Sequence, residues 1–208
     1  MNPLRTFVYV DGFNLYYGQL RHSKHKWLDL VALCRKYLDP ARNAIERIKY
    51  FTARVVPRPQ DPDQNIRQQA YLRALATFPE IEIIYGNFLS HKVKMPRADG
   101  SGLVEVIKTE EKKSDVNMAV HMLNDAFKNR YDLCVLISND SDLSEPLRIV
   151  KEELVKKIAI LNPHQKTSRD LKQYATFYKQ IRASAIAACQ LPAQLKDKHG
   201  LIHKPKSW

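Results

Sequence analysis

Short apolar runs alternate along this chain with segments of helical period. The runs are rich in β-branched and aromatic residues, which predicts strands over residues 6–10, 45–53, 81–88, 133–137 and 157–161, and an edge strand over 176–181. Apolar positions at helical spacing predict helices over residues 14–20, 28–37, 63–78, 115–128, 142–155 and 168–174, the third of them capped by Asp61 or Asp63. This alternation is typical of βαβ units and predicts an α/β fold around a mostly parallel sheet.

Two segments depart from that rhythm. Apolar stretches at 91–95 and 103–107 flank a polar, glycine-containing turn at 97–102, which predicts a small β-hairpin insertion. After residue 183 the periodicity stops, and residues 191–208 are lysine-rich with apolar anchors at Leu191, Ile202 and Trp208. We therefore predict one domain over residues 1–182 and a C-terminal arm over 183–208, either docked or loose.

Composition supports a folded protein inside the cell. The 208 residues suffice for one core, and 44% hydrophobic with 27% charged residues is a globular balance. No apolar stretch approaches the roughly 20 residues of a membrane span, and the first ten residues lack the features of a signal peptide, so we expect a cytoplasmic protein with no membrane partner. The cysteines Cys34, Cys134 and Cys189 lie far apart and are expected to be reduced packing residues.

Charge narrows the choice of partners. The formal net charge is +12, and such a surface attracts polyanions, of which nucleic acid is the commonest inside a cell. Charge alone does not decide the matter, because many basic proteins bind no nucleic acid.

Carboxylates follow the predicted strands at the ends where parallel sheets place their functional groups. Asp11 follows the first strand, Asp140 and Asp142 follow the strand over 133–137, and Asp115 opens the helix before that strand. If the strands of Asp11 and Asp140 are neighbours, these carboxylates converge and need a cation to stay ionised. Mg²⁺ and Mn²⁺ fit such a site, where they polarise a phosphodiester and activate water.

Each acid also has a purely structural interpretation. Asp142 with Glu145 matches a capping box, Asp115 suits the first turn of a helix, and Asp11 before Gly12 suits a turn. Their joint placement favours the functional interpretation.

Three motifs resemble the NYN domain family, which is related to PIN-domain nucleases and includes LabA-like bacterial proteins. They are Val8-Tyr9-Val10-Asp11-Gly12-Phe13-Asn14-Leu15-Tyr16-Tyr17, Lys113-Ser114-Asp115-Val116-Asn117-Met118-Ala119-Val120 and Val135-Leu136-Ile137-Ser138-Asn139-Asp140-Ser141-Asp142-Leu143. The resemblance covers roughly residues 5–182 and implies a three-layer α/β/α sandwich.

The resemblance also implies a function. It points to a metal-dependent ribonuclease with Asp11, Asp115, Asp140 and Asp142 as catalytic metal ligands for Mg²⁺ or Mn²⁺. The predicted substrate contacts are Asn14, Lys112, Lys113, Ser138 and Asn139. Asn14 has a second interpretation as a helix N-cap, and the two lysines have one as partners of Glu110 and Glu111.

Further basic and aromatic residues suggest how RNA is held. Lys92, Lys94 and Arg97 of the hairpin and the Arg54–Arg58 loop are candidates for a basic wall, and Tyr16, Tyr17 and Tyr85 are candidates for stacking on single-stranded bases. The rival function is an RNA-binding or regulatory module without catalysis. A haloacid-dehalogenase-type phosphohydrolase is disfavoured because Phe13 stands where its second acid belongs. The tail and the predicted edge strand are compatible with a homodimer, and the sequence does not fix the oligomeric state.

Overall fold

A computed structural model of the chain describes residues 2–208; Met1, the first residue of the predicted domain, lies outside the described residues. Six parallel strands form the central sheet in the order β3-β2-β1-β6-β7-β8, and β4-β5 and β9-β10 form separate antiparallel hairpins. The strands are β1 (Leu4–Asp11), β2 (Asn43–Thr52), β3 (Ile81–Tyr85), β4 (Asn87–Pro96), β5 (Leu103–Lys112), β6 (Leu133–Ile137), β7 (Lys157–Asn162), β8 (Phe177–Gln180), β9 (Gln194–Asp197) and β10 (Gly200–His203). The predicted α/β class and parallel sheet are confirmed.

Helices cover both faces of the sheet. They are α1 (Gly12–Leu15), α2 (Leu30–Tyr37), α3 (Gln64–Leu75), α4 (Ser114–Phe127), α5 (Ser144–Arg148), α6 (Arg169–Lys172) and α7 (Ala183–Ala188). Wider π-helical turns extend α1 over Tyr16–Leu20 and α5 over Ile149–Glu153, which accounts for the longer helices predicted there.

The core has two layers because residues alternate between the faces of each buried strand. Val8 and Val10 of β1 pack in one cluster with α2, α3 and α7, while Phe7 and Tyr9 pack in the other with α4, α5 and α6. Both faces of β1 are therefore buried, as a central parallel strand requires. The three-layer sandwich expected from the family resemblance is confirmed.

The predicted strand over 81–88 is interrupted at Gly86. A Cβ at this position would lie 2.7 Å from the Lys112 carbonyl oxygen and 2.7 Å from the Ser114 hydroxyl. The close approach requires glycine, and the chain turns there from β3 into β4. The hairpin is consequently longer than predicted, with ten residues in each strand.

The C-terminal arm is docked. The Trp27 indole donates to the carbonyl of Pro192 over 2.8 Å, and the ring of Trp208 lies 6.4 Å from that of Trp27. The guanidinium of Arg73 on α3 binds the Asp197 carboxylate through two hydrogen bonds of 2.8 and 2.9 Å. The apolar anchors Leu191 and Ile202 are buried in the same cluster as α2 and α3.

The cysteines are free and buried, as expected for packing residues. Within residues 2–208, no helix combines the length and apolar character needed to cross a membrane.

Candidate metal centre

The acidic site lies at the point where the order of strand addition in the sheet reverses. From β1 the chain builds outward through β2 and β3, and then returns to build β6, β7 and β8 on the other side of β1. Open parallel sheets bind ligands at the carboxyl ends of the strands that flank such a switch point. Here those strands are β1 and β6, which are direct neighbours with Val10 paired to Ile137.

Three carboxylates meet at this point. Asp11 is the last residue of β1, Asp140 follows β6, and Asp115 lies in the first turn of α4. One oxygen from each side chain lies within 4.8 Å of the oxygens of the other two. The predicted convergence of these acids is present because β1 and β6 are adjacent and α4 begins over the same edge.

Asp11 is the buried member of the group, with 7% of its surface exposed. Its carboxylate accepts hydrogen bonds from the Asn14 amide over 2.9 Å and from the Ser138 hydroxyl over 3.1 Å. Burial raises the pKa of Asp11 to about 6; the charges of Asp115 and Asp140 act in the same direction, and the two hydrogen bonds oppose them. Without a bound cation, the Asp11 carboxyl therefore gains and loses its proton close to neutral pH.

Asp140 rather than Asp142 caps the helical segment after β6. The Asp140 side chain accepts from the amide of Asp142 over 3.0 Å and so begins a 3-10 turn, Ser141–Leu143, that precedes α5. The alternative interpretation of Asp142 as the first residue of a capping box is wrong, because this extra turn moves the N-cap two residues towards the strand. Asp142 itself is exposed and lies outside the three-carboxylate group, so the structure does not place it with the other predicted metal ligands.

Asp115 is the exposed member of the group. Burial of its carboxylate raises its pKa, and the negative charges of Asp140, Glu111 and Asp142 add to the increase. From the sequence, Glu111 at the end of β5 was expected only as a partner of Lys112 or Lys113, because it lies in the hairpin rather than after a sheet strand. Its signal was its position four residues before Asp115, where the hairpin must return to the site.

Three of the predicted substrate contacts make hydrogen bonds within the site. The Asn14 side-chain oxygen accepts from the Asn139 amide over 2.9 Å, and the Asn139 side chain accepts from the Ser168 amide over 2.9 Å. Ser138 is fully buried; its hydroxyl bonds Asp11 and accepts from the Asp140 amide over 3.1 Å. These bonds give Asn14, Ser138 and Asn139 a positioning role, and the N-cap expected at Asn14 is Asp11.

The basic groups beside the site are partly neutralised. Lys112 pairs with Glu110 over 3.0 Å, the structural alternative foreseen for one of the two lysines. Lys113 adopts a left-handed backbone, φ 80°, at the junction between β5 and α4. In the hairpin, Lys92 pairs with Glu105 over 3.5 Å, and residues 87–112 hold five Lys or Arg against four Asp or Glu. The hairpin is therefore nearly neutral, and a basic wall formed by the hairpin and the Arg54–Arg58 loop stays a prediction.

Comparison with known families identifies the fold. The profile of the family described as NYN domain matches residues 5–181, which is most of the chain. The chain belongs to the NYN domain family. NYN domains are a PIN-like nuclease family, so the three aspartates lie in a fold associated with nuclease chemistry.

Two individual proteins are similar to this NYN chain. The 6-hydroxy-3-succinoylpyridine 3-monooxygenase HspA of Pseudomonas putida is 30% identical over 237 aligned residues, which cover 99% of this chain and 76% of that protein. A protein of unknown function from Vibrio parahaemolyticus, VPA0982, superposes with a TM-score of 0.58 at 20% identity over 87% of this chain and 94% of its own. The second likeness supports the fold alone.

The NYN site suits a hard divalent cation. It offers carboxylate oxygens, the ligands that Mg²⁺ and Mn²⁺ prefer, and its buried member is held by two hydrogen bonds in a fixed orientation. Carboxylates this close repel one another when ionised, and the raised pKa values of Asp11 and Asp115 record that repulsion together with burial. A bound cation removes this cost.

We expect divalent metal to stabilise the protein more at about pH 7.5 than at about pH 5. The pKa of Asp11 is raised from 3.8 to about 6, so the folded state holds a proton that the unfolded state loses between these values. The free energy of unfolding without metal therefore falls as pH rises through this window. Above it, the ionised carboxylate binds Mn²⁺ and recovers the loss. Thermal melting with and without Mn²⁺ at the two pH values measures the difference; an equal increase at both would contradict it.

Proposed function

We propose that this protein is a metal-dependent endoribonuclease that hydrolyses phosphodiester bonds in RNA. The observation that supports the proposal most directly is the convergence of Asp11, Asp115 and Asp140 at the switch point between β1 and β6. The net charge of +12 supports a polyanionic substrate, since a basic protein attracts nucleic acid.

The three aspartates differ in solvent exposure, and we assign their roles accordingly. Asp11 is buried and held by Asn14 and Ser138, so it provides the fixed ligand of the site. Asp140 is oriented by the hydrogen bond from its own amide to the Ser138 hydroxyl. Asp115 is exposed, so it provides the carboxylate ligand that lies nearest to solvent. A divalent ion bound by these carboxylates supplies Lewis-acid polarisation of the phosphate and a more acidic water.

The name of the Pseudomonas relative raises a second candidate, a monooxygenase acting on a hydroxypyridine. The similarity to this relative supports the candidate, because it extends over 99% of this chain. The site chemistry favours hydrolysis, because the three carboxylates suit Mg²⁺ or Mn²⁺, whereas non-haem iron oxygenases typically combine histidines with a carboxylate. Oxygen uptake with 6-hydroxy-3-succinoylpyridine and an added electron donor tests this candidate directly.

The nuclease proposal is tested with labelled single-stranded RNA, with Mn²⁺, Mg²⁺ or EDTA. The decisive variant is Asp140→Asn, which keeps the side-chain shape and removes the charge. The matched control is Asp39→Asn, because Asp39 is exposed and lies just before β2, at the opposite edge of the sheet. We expect cleavage that requires metal, persists in Asp39→Asn and is lost in Asp140→Asn.

Two results would redirect the proposal. RNA that is bound in a salt-sensitive manner but stays intact with every metal favours the non-catalytic RNA-binding module. Cleavage that is unchanged in Asp140→Asn contradicts the assigned site and points to a contaminating nuclease.

A further inference from the structure

The sheet edge beside the acidic site carries an exposed aromatic and cationic pair. The Arg54 guanidinium carbon lies 5.1 Å from the centroid of the Tyr85 ring, and 41% of Tyr85 is exposed. Arg54 is exposed as well, and its guanidinium packs on this ring rather than on a carboxylate. Its positive charge therefore faces solvent without the neutralisation found in the hairpin.

The pair occupies the same edge as the carboxylates. Strand register places Asp11, Phe51 and Ile84 in one row across β1, β2 and β3, and Tyr85 is the next residue along β3. With neighbouring strands about 4.8 Å apart, the Cα atoms of Tyr85 and Asp11 are separated by roughly 10 Å. A nucleotide that flanks a phosphate held at the carboxylates spans such a distance.

Tyr85 is also fixed relative to the site. The Asn117 side chain donates to the Tyr85 carbonyl over 3.4 Å, and Asn117 lies two residues after Asp115 on α4. Gly86, the next residue after Tyr85, packs tightly against the Ser114 hydroxyl at the start of the same helix. The backbone at the end of β3 is therefore held against α4, the helix that carries Asp115.

We propose that Arg54 and Tyr85 form a nucleotide subsite for single-stranded RNA, with the base stacked on the exposed aromatic and guanidinium surface and the phosphate paired with Arg54. The inference rests on the proposed ribonuclease function and names where its substrate lies. Only unpaired bases expose faces for stacking, so the subsite selects single strands over duplexes. The substrate strand then leaves the site over β2 and β3.

The test measures binding of a short fluorescent oligouridylate in EDTA, where no cleavage is needed. We expect Tyr85→Ala to weaken binding roughly 10-fold and Tyr85→Phe to recover most of the affinity, because the aromatic face does the binding. Arg54→Ala should weaken binding and lower the slope of log affinity against log salt by about 1. Lys179→Ala controls for the loss of one positive charge, because Lys179 lies in β8, the outer strand on the far side of the sheet from β3.

Each outcome decides the matter. Unchanged binding in Tyr85→Ala, or equal weakening in Tyr85→Phe and Tyr85→Ala, overturns the subsite. If the wild type cleaves RNA and Tyr85→Ala binds and cleaves equally well, the subsite alone fails. If the wild type neither binds nor cleaves RNA, the proposed function fails and the subsite with it. Duplex RNA bound as tightly as the single strand also overturns the selectivity.

Discussion

Asp11→Asn is expected to lower metal-dependent RNA cleavage by about 10²- to 10³-fold or more while making the metal-free protein more stable at neutral pH. The loss follows from the position of Asp11, which is the buried ligand of the three-carboxylate group. An amide keeps the shape and one acceptor oxygen but removes the charge that holds a cation. Single-turnover cleavage at saturating Mn²⁺ measures the effect.

The gain in stability has a separate cause. A pKa raised from 3.8 to about 6 corresponds to roughly 3 kcal/mol of destabilisation by the ionised carboxylate at neutral pH. Asparagine stays neutral, and its oxygen still accepts from the Asn14 amide while its NH₂ faces the Ser138 hydroxyl. We expect Asp11→Asn to raise the free energy of unfolding without metal by about 1 to 3 kcal/mol above pH 6. Functional sites are commonly less stable than the same site without its functional group.

The two effects together distinguish a metal ligand from a structural aspartate. The Asp11→Asn protein should also lose the increase in melting temperature that Mn²⁺ gives the wild type. A variant that is less stable without metal would mean that the Asp11 charge supports the fold, and the assignment as a ligand would be wrong. Asp39→Asn again serves as the control at the opposite edge of the sheet.

The fold was largely predictable because its signals are local. The continuous apolar run of β6 and the apolar stretch of β1 before Asp11 are typical of buried parallel strands, and both strands formed within two residues of their predicted bounds. The boundary errors have local causes. Gly86 ended β3 early because a helix approaches it, and that contact is tertiary.

The site was predictable in its charges and less so in its supporting contacts. The convergence of Asp11, Asp115 and Asp140 follows from strand ends and one helix start. That Asp140 rather than Asp142 caps the next helical segment depends on a 3-10 turn that no periodicity reveals. Ser138 and Asn139 belong to the third motif, but only the structure shows that the Ser138 hydroxyl is buried and donates to the Asp11 carboxylate. The interior of α4 presented the greatest difficulty, since Asp125 has the sequence environment of an ordinary surface residue.

Asp125 lies at the centre of a buried charge network between α4 and the sheet. It is fully buried, and so, at 4% exposure, is its partner Lys49. Its carboxylate also accepts from the Tyr9 hydroxyl over 2.9 Å and from the Arg130 guanidinium over 3.0 Å. Burial alone would raise the pKa of Asp125, but hydrogen bonds from Lys49 and Tyr9 and the charge of Lys49 outweigh it and lower the pKa.

We expect Asp125→Asn to lower the free energy of unfolding by about 3 to 5 kcal/mol, because it leaves the Lys49 ammonium buried without its counter-charge. Denaturant unfolding at neutral pH measures the loss. The lowered pKa means that the contribution of Asp125 is complete above its unfolded pKa and is lost as pH falls through the folded value, so the difference between wild type and variant should shrink in acid. Glu145→Gln, which breaks an exposed ion pair with Arg148, is the control and should change stability little.

A double-mutant cycle with Lys49→Met and Asp125→Leu isolates the pair. The double variant should be less destabilised than the sum of the single variants, since removing both charges leaves no unpaired ion between Lys49 and Asp125. Strict additivity would mean that the two groups do not interact and would contradict the network.

Because Asp125 lies ten residues along α4 from Asp115, about 15 Å away, Asp125→Asn should keep metal-dependent cleavage well below its melting temperature. Loss of cleavage in a protein that is still folded would mean that this network also positions α4 for the carboxylate site.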